Sequence, residues 1–331
     1  MELSAANTIA FEFAVPALLL LVFALGDALG TGLAKTLMLW LAAVQIAAVV
    51  FRPEDYNTDT WAYYNYVELL SEAEGNEVLL LTKFEPLHLV LVLLTRDFRW
   101  WLVVENLLGV GLLWTLCRRT ERLETIAVVV GLALPLFSSS VRFANGLLAV
   151  ACALAVFRDA RGRTLLTTVV GGATHVSLLL VGVMQRRSWV PIACVLLGFV
   201  ALALVNEDLR GRAGAGDDAE FAGAGTRSFA GCLLLIGYLR AVAPAYRGKL
   251  LRSDLLAACG VYALSMLFFP VLNRWLILLM LVMVVDAEPL LAGATVRRST
   301  GALAAVGLYA LLTLPFLFKL ASTWGAEALE G

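Results

Sequence analysis

Residues 126–156 read IAVVVGLALPLFSSSVRFANGLLAVACALAV. Two apolar runs, each long enough to enter a membrane, meet at a turn of three serines that is followed by a single arginine, Arg142. An arginine side chain keeps its charge and carries five hydrogen-bond donors and no acceptor. The stretch therefore predicts neighbouring membrane helices, and it raises the question of what a permanent cation does between them.

The composition of the whole chain is that of a membrane protein. Of its 331 residues, 61% are hydrophobic and 15% are charged, whereas soluble domains have roughly 45–50% and about 25%. Together with the short broken pieces described below, the apolar runs predict an all-α polytopic protein of about 10–12 transmembrane helices, forming one integral membrane domain over 1–331. No basic patch with interleaved aromatic residues occurs, so nucleic acid is not an expected partner. The apolar runs are 8–30, 33–51, 99–117, 123–140, 143–157, 188–205, 228–246, 253–270, 275–291 and 301–319.

The distribution of Lys and Arg predicts which helix ends face the cytoplasm, because short cytoplasmic loops are enriched in these residues. This assignment places segment 52–98 and the turn before Arg142 outside. Within 52–98, the aromatic residues of 61–66 predict a helix at the membrane surface. Glu85-Pro86 opens a short apolar helix that dips into the outer face. The cytoplasmic positions are Lys35 and the loops 118–122, 158–163, 185–187, 247–252 and 297–298.

Residues 164–184 connect two cationic loops but are only long enough for one crossing. A glycine pair, Gly171-Gly172, lies near the middle, and helices break most easily at such pairs. We expect this segment to be interrupted, either as a re-entrant hairpin or as two half-helices. Irregular backbone at membrane depth is tolerated where it is buried in protein or lines a wet cavity. The alternative is one ordinary span with Arg186-Arg187 outside.

Charged side chains inside a membrane usually have a partner or a task, because each costs about 2.5–3.5 kcal/mol to insert. For Glu105 we expect a structural pair. Arg142 and Arg274 each open an apolar run at the predicted outer face, where cations are rare. With His175 they would form a site for phosphate or diphosphate, which guanidinium groups bind bidentately. Alternatively, the two arginines would extend to the lipid headgroups, and the histidine would be a buried residue whose hydrogen bonds are satisfied within the protein.

Two carboxylates are candidates for activating a hydroxyl group. Asp59 lies at the start of the aromatic helix, where it also suits an N-cap. Glu85 precedes Pro86, where the helix dipole favours an acidic residue. Trp61 and Tyr64 would offer a stacking surface for sugars or a seat for a lipid chain, or they would simply belong to an aromatic belt.

The order of these motifs resembles that of the EpsG family of bacterial exopolysaccharide proteins, which is similar to O-antigen polymerases of the Wzy type. Members of that family often have glutamine after the arginine that opens the span, whereas this chain has Phe143. The matching positions are Arg52, Asp59, Thr60 and Tyr64 of an outer loop, Glu85-Pro86, Arg142, His175 with Ser177, and Asn273-Arg274.

The resemblance implies a GT-C-like glycosyltransferase of the bacterial cytoplasmic membrane, with an extracytoplasmic site and neither metal nor cofactor. It implies a polysaccharide polymerase that transfers a glycan from undecaprenyl diphosphate to a second lipid-linked unit. Arg142, Arg274 and His175 would bind the diphosphate, and Asp59 would be the base, with His175 and Glu85 as competitors. A flippase and a chain-length regulator would be its protein partners.

Other functions fit the same pattern of residues. One is a single-sugar transferase that uses a polyprenyl-phosphate-linked donor, and another is a ligase that joins a glycan to a different acceptor. A polysaccharide transporter or flippase belongs to a different class, and broken helices with polar residues also mark transport sites. An assembly subunit of a polysaccharide machine is a further possibility.

Overall fold

The computed structural model describes residues 25–51, 58–72, 85–158, 161–185, 218–243, 248–267 and 273–288, with a few isolated positions elsewhere. Within these ranges the regular structure is helical, without a strand. Apart from isolated positions, the predicted runs 188–205 and 301–319 lie outside the described residues, and so does part of 8–30. The helices are α1 (Gly26–Leu29), α2 (Thr31–Ala48), α3 (Thr58–Glu72), α4 (Pro86–Thr95), α5 (Phe98–Arg119), α6 (Leu123–Ser139), α7 (Val141–Val156), α8 (Arg163–Thr174), α9 (Val181–Gln185), α10 (Asp218–Val242), α11 (Lys249–Leu267) and α12 (Asn273–Ala287).

Two of these helices are long and apolar enough to cross a membrane. They are Thr31–Phe51, which joins α2 to a 3-10 turn and has 21 residues, and Phe98–Arg119, which has 22. At 1.5 Å of rise per residue, each spans roughly 30 Å, the thickness of the hydrocarbon core. Pro86–Thr95, Leu123–Leu134 and Val141–Val156 are shorter apolar helices.

Helix α7 lies at the centre of the described bundle, where α5, α6, α8 and α12 all pack against it. Nearly all of its residues are buried. Small residues allow this close packing. A Cβ on Gly109 of α5 would lie 2.8 Å from Asn145 Oδ1 of α7, and a Cβ on Gly146 would collide with Leu178. The first turn of α7, which carries Arg142, is therefore held by several neighbouring helices.

One end of the bundle brings together Lys35 and two of the loops that the sequence assigns to the cytoplasm, and we call it the basic end. Arg163 donates to Asp286 Oδ1 at 2.7 Å, and Arg158 pairs with Glu288. Lys35 donates to the carbonyl oxygen of Thr120 at 2.5 Å. Lys35 and the loops around 118–122 and 158–163, predicted to face one compartment, thus lie together at one end.

The helix interruption predicted within 164–184 is confirmed. Helix α8 ends at Thr174, and His175 has extended backbone angles, with φ −161° and ψ 128°. A 3-10 helix, Val176–Leu180, and the short α9 follow. α9 returns along α8, so that Gln185 Nε2 donates to Thr167 Oγ1 at 2.6 Å. The segment is a helical hairpin with His175 at its bend, and it is not a single continuous helix.

The glycine pair allows the hairpin to close, although the break itself lies at His175. Helix α8 continues through Gly171 and Gly172. A Cβ on Gly171 would lie 2.6 Å from the backbone oxygen of Leu178, and a Cβ on Gly172 would overlap Leu179. The missing side chains therefore make room for the returning chain, and this packing fixes the position of the bend.

Candidate functional site

Arg142 lies in the first turn of α7 and is held by a carboxylate and an aromatic ring. Its Nη1 donates to Glu85 Oε2 at 2.7 Å. Its guanidinium carbon lies 5.0 Å from the centre of the Tyr63 ring. The hydroxyl groups of Tyr63 and Ser140 are 3.1 Å apart, so the last of the three serines holds the ring beside the arginine. Arg142 thus turns into the protein.

Glu85 lies at the N-cap position of α4, with Pro86 as the first helical residue. Its side chain makes no capping hydrogen bond to the helix. It reaches Arg142 instead, and its other oxygen, Oε1, lies 3.8 Å from His175 Nε2. The carboxylate is therefore next to two of the three groups that the sequence predicts to bind an anion.

His175 presents a hydrogen-bond donor to the site. The backbone N–H of Ser177 donates to its Nδ1 at 3.2 Å, so Nδ1 carries no proton. A neutral imidazole then has its proton on Nε2, which is the nitrogen that faces Glu85. The neutral form also suits a buried ring beside arginine, because a second cation there would be repelled.

Phe143, where the resembling family often has glutamine, links Arg274 to this group. Its ring meets the His175 ring edge to face, with centroids 5.1 Å apart. The guanidinium carbon of Arg274, in the first turn of α12, lies 5.6 Å from the centre of the same Phe143 ring. Among the described residues, Arg274 has no carboxylate within salt-bridge distance.

Four residues from distant parts of the chain thus meet at one end of the bundle, which we call the site end: Glu85, Arg142, His175 and Arg274. α7 and α12 both run from this end to the basic end, because their last residues lie near the pairs formed by Arg158 and Glu288. With neutral histidine, the group holds two permanent cations and one carboxylate. Its excess positive charge and inward-facing donors can bind a phosphate or diphosphate.

Among the other predicted residues, Trp61 and Tyr64 make no contact with this group. Asp59 falls in the first turn of α3, but its side chain lies outside the described residues. Trp61 is 58% exposed, and Tyr64 packs edge-on against Phe98 at 5.4 Å. Tyr63, which the sequence indicated only as a member of the aromatic helix, is the residue of α3 that reaches Arg142.

A buried polar network lies beneath the site. His88 Nδ1 pairs with Glu105 Oε1, and Asn145 Nδ2 donates to Glu105 Oε2 at 2.6 Å and to its backbone oxygen at 2.9 Å. The structural pair expected for Glu105 is confirmed. His88 and Asn145 each follow a site residue by three positions, Glu85 and Arg142 respectively, so each lies about one helical turn deeper. The network therefore ties α4, α5 and α7 together directly below the ion pair.

Within the described part of the chain, no group of three or more His, Cys, Asp or Glu side chains is arranged to hold a metal ion. The fold and the site define an all-helical protein with a buried, cation-rich group at one end. Compared with protein-family models, curated proteins and solved structures, the chain matches none of them.

Proposed function

We propose that this chain is a membrane glycosyltransferase that polymerises a polysaccharide from undecaprenyl-diphosphate-linked units. The observation that carries the proposal is the convergence of Arg142, His175 and Arg274 at the end of the bundle opposite the cationic loops. A lipid diphosphate is the substrate for which such a group is best suited, because guanidinium keeps its charge when water is removed.

The proposal places the chain in the bacterial cytoplasmic membrane, with the site end outside. Two helices of spanning length support this, and so does the gathering of Lys35 and the loops near 118–122 and 158–163 at the basic end. The hairpin of α8 and α9 would then be re-entrant. Its bend at His175 is buried, which is the condition for irregular backbone at membrane depth.

The proposed reaction is a displacement at the anomeric carbon of the donor sugar. The acceptor oxygen forms a bond to that carbon while the bond to the diphosphate oxygen breaks, and the electron pair goes to the leaving diphosphate. Arg142 and Arg274 stabilise the charge that grows on the leaving group, and the Nε2–H of His175 donates to it. A carboxylate, Asp59 or Glu85, takes the proton of the acceptor hydroxyl.

The test uses purified protein in lipid vesicles with one defined undecaprenyl-diphosphate-linked repeat unit. Wild-type protein is expected to yield a ladder of products, which neither a ligase nor a single-sugar transferase would make from that unit alone. Arg142→Ala and Arg274→Ala should each slow chain lengthening at least about a hundredfold, because each removes a group that stabilises the leaving charge.

Arg240→Ala is the matched control, since Arg240 is exposed in the last turn of α10. It should polymerise at the wild-type rate. Normal ladders from either site variant would refute the role of the arginines.

A polysaccharide transporter is the second candidate, and the broken hairpin is the observation that favours it. The same vesicles separate the two functions. A transporter would move the lipid-linked unit between leaflets and leave its sugar–phosphate bond intact, whereas the proposed enzyme releases undecaprenyl diphosphate. Movement without release would favour the transporter.

A further inference from the structure

We propose that Glu85 is an exchangeable counter-ion: it holds Arg142 while the site is empty, is displaced by the diphosphate of the donor, and then acts as the base. This inference rests on the proposed function. It replaces the sequence-based preference for Asp59 as the base, and it makes deprotonation of the acceptor depend on prior binding of the donor.

Glu85 occupies the place that a bound anion would need. One of its oxygens accepts from Arg142 at 2.7 Å, and the other lies 3.8 Å from His175 Nε2. A phosphate bound to the same donors would meet the carboxylate at close range. Two negative groups repel strongly where water is scarce, and the side chains of Arg142 and Glu85 are only 15% and 10% exposed. The diphosphate and Glu85 therefore compete for Arg142.

The carboxylate also has a favourable place after it is displaced. Glu85 is at the N-cap position of α4, and its side chain makes no capping hydrogen bond. The positive end of the helix dipole therefore lies beside the negative carboxylate in both positions. The displaced carboxylate stays next to the bound donor, and the oxygen that accepted from Arg142 can then accept from the acceptor hydroxyl.

In the empty site, Glu85 Oε2 accepts a hydrogen bond from Arg142, so this oxygen is not available to an acceptor hydroxyl. After displacement, Glu85 takes the proton from the acceptor hydroxyl, whose oxygen forms the new bond to the anomeric carbon. The bond between that carbon and the diphosphate oxygen breaks, and its electron pair stays on the diphosphate, bound by the two arginines. A site that activates its base only after the donor binds also limits deprotonation of water when no donor is present.

The test compares the affinity of wild-type protein and Glu85→Gln for farnesyl diphosphate, a soluble prenyl diphosphate. If the ion pair is formed about nine-tenths of the time, only about one-tenth of the molecules are free to bind, which weakens the apparent affinity about tenfold. Removing the negative charge should therefore tighten binding about tenfold. The same variant should lose chain lengthening, because it lacks the base.

Two further variants accompany Glu85→Gln. Glu85→Ala removes the same charge with a different side chain, and it should also bind more tightly than wild type. Glu121→Gln removes a carboxylate that is exposed at the basic end, and its affinity and turnover should be those of wild type.

Each outcome decides the role of Glu85. Weaker or unchanged binding by the neutral variants would overturn the counter-ion role, and so would failure of both to fold, since Glu85 would then be a structural partner of Arg142. Tighter binding with normal turnover would overturn only the role as base. If wild type and Arg142→Ala show equal affinity for farnesyl diphosphate, the proposed function itself fails, independently of Glu85.

Discussion

Which nitrogen of His175 carries the proton decides what this residue can do. The backbone N–H of Ser177 donates a hydrogen bond to Nδ1, so the proton of the neutral ring is on Nε2, which is therefore a donor. A general base would need an unprotonated nitrogen facing the acceptor. Within the proposed reaction, the geometry thus favours a histidine that donates to the leaving group over one that accepts a proton.

This assignment predicts different results for two substitutions at this position. The amide N–H of His175→Gln can replace the Nε2–H, so turnover should fall only about tenfold, whereas His175→Ala should lose about a hundredfold. The measurement is the rate of ladder formation by proteins with equal melting temperatures. An equal loss in both variants would contradict a donor role and return His175 to consideration as the base.

Sequence reasoning found the charged members of the site because their presence next to apolar runs is costly. Arg142, Arg274, His175 and Glu85 all stand out for this reason. The contacts of Phe143 and Tyr63 were not predicted: Phe143 was noted only as a departure from the resembling family, and Tyr63 only as part of the aromatic helix. In the structure, Phe143 lies between His175 and Arg274, and Tyr63 contacts Arg142. An aromatic residue in an apolar chain is unremarkable in sequence, and its partners depend on packing between helices far apart in the chain.

Among the helices, the hairpin of α8 and α9 determines where the imidazole lies. The sequence predicted the interruption from the glycine pair, but it placed the weakness at the glycines. In the structure the helix passes through them and bends at His175. Local propensity does not locate the bend, because what fixes it is the contact between Gly171 and the returning backbone at Leu178.

Gly171→Ala should therefore damage the site without touching any charged residue. Its Cβ would lie 2.6 Å from the Leu178 carbonyl oxygen, a backbone atom that cannot move alone. The bend must shift, and a displacement of about 1 Å at a reacting group costs on the order of a hundredfold in rate. The measurements are ladder formation and the melting temperature, and both should fall.

Gly111→Ala is the matched control in α5, where a Cβ would meet nothing within 4 Å. Alanine is favoured over glycine in a helix by about 1 kcal/mol, so this variant should melt at the same or a higher temperature and keep its activity. If Gly171→Ala behaves like the control, the close packing of the hairpin does not position His175.

In the bundle as a whole, ionic groups concentrate at two opposite ends. Lys35, Arg158 and Arg163 have their partners at the basic end, while Glu85 and Arg142 pair at the other. The antiparallel arrangement of α2 and α5 agrees with this: Lys35, near the start of α2, reaches the end of α5, and Arg99, near the start of α5, donates to Val50. The Lys and Arg pattern thus predicted that Lys35 and the loops 118–122 and 158–163 lie together.

The two ends should therefore face different compartments, which cysteine labelling can test. Ala62→Cys places an exposed thiol on α3 at the site end, and Arg161→Cys places one before α8 at the basic end. Each is introduced after the five native cysteines are replaced by alanine. A membrane-impermeant maleimide should label position 62 in intact cells and position 161 only after the membrane is opened, because cationic loops are retained in the cytoplasm.

Labelling of both positions from one side would mean that the bundle does not span the bilayer with its site outside. A lipid-linked donor displayed on the outer leaflet could then not reach Arg142, and the polymerase proposal would fail even with the ion pairs intact.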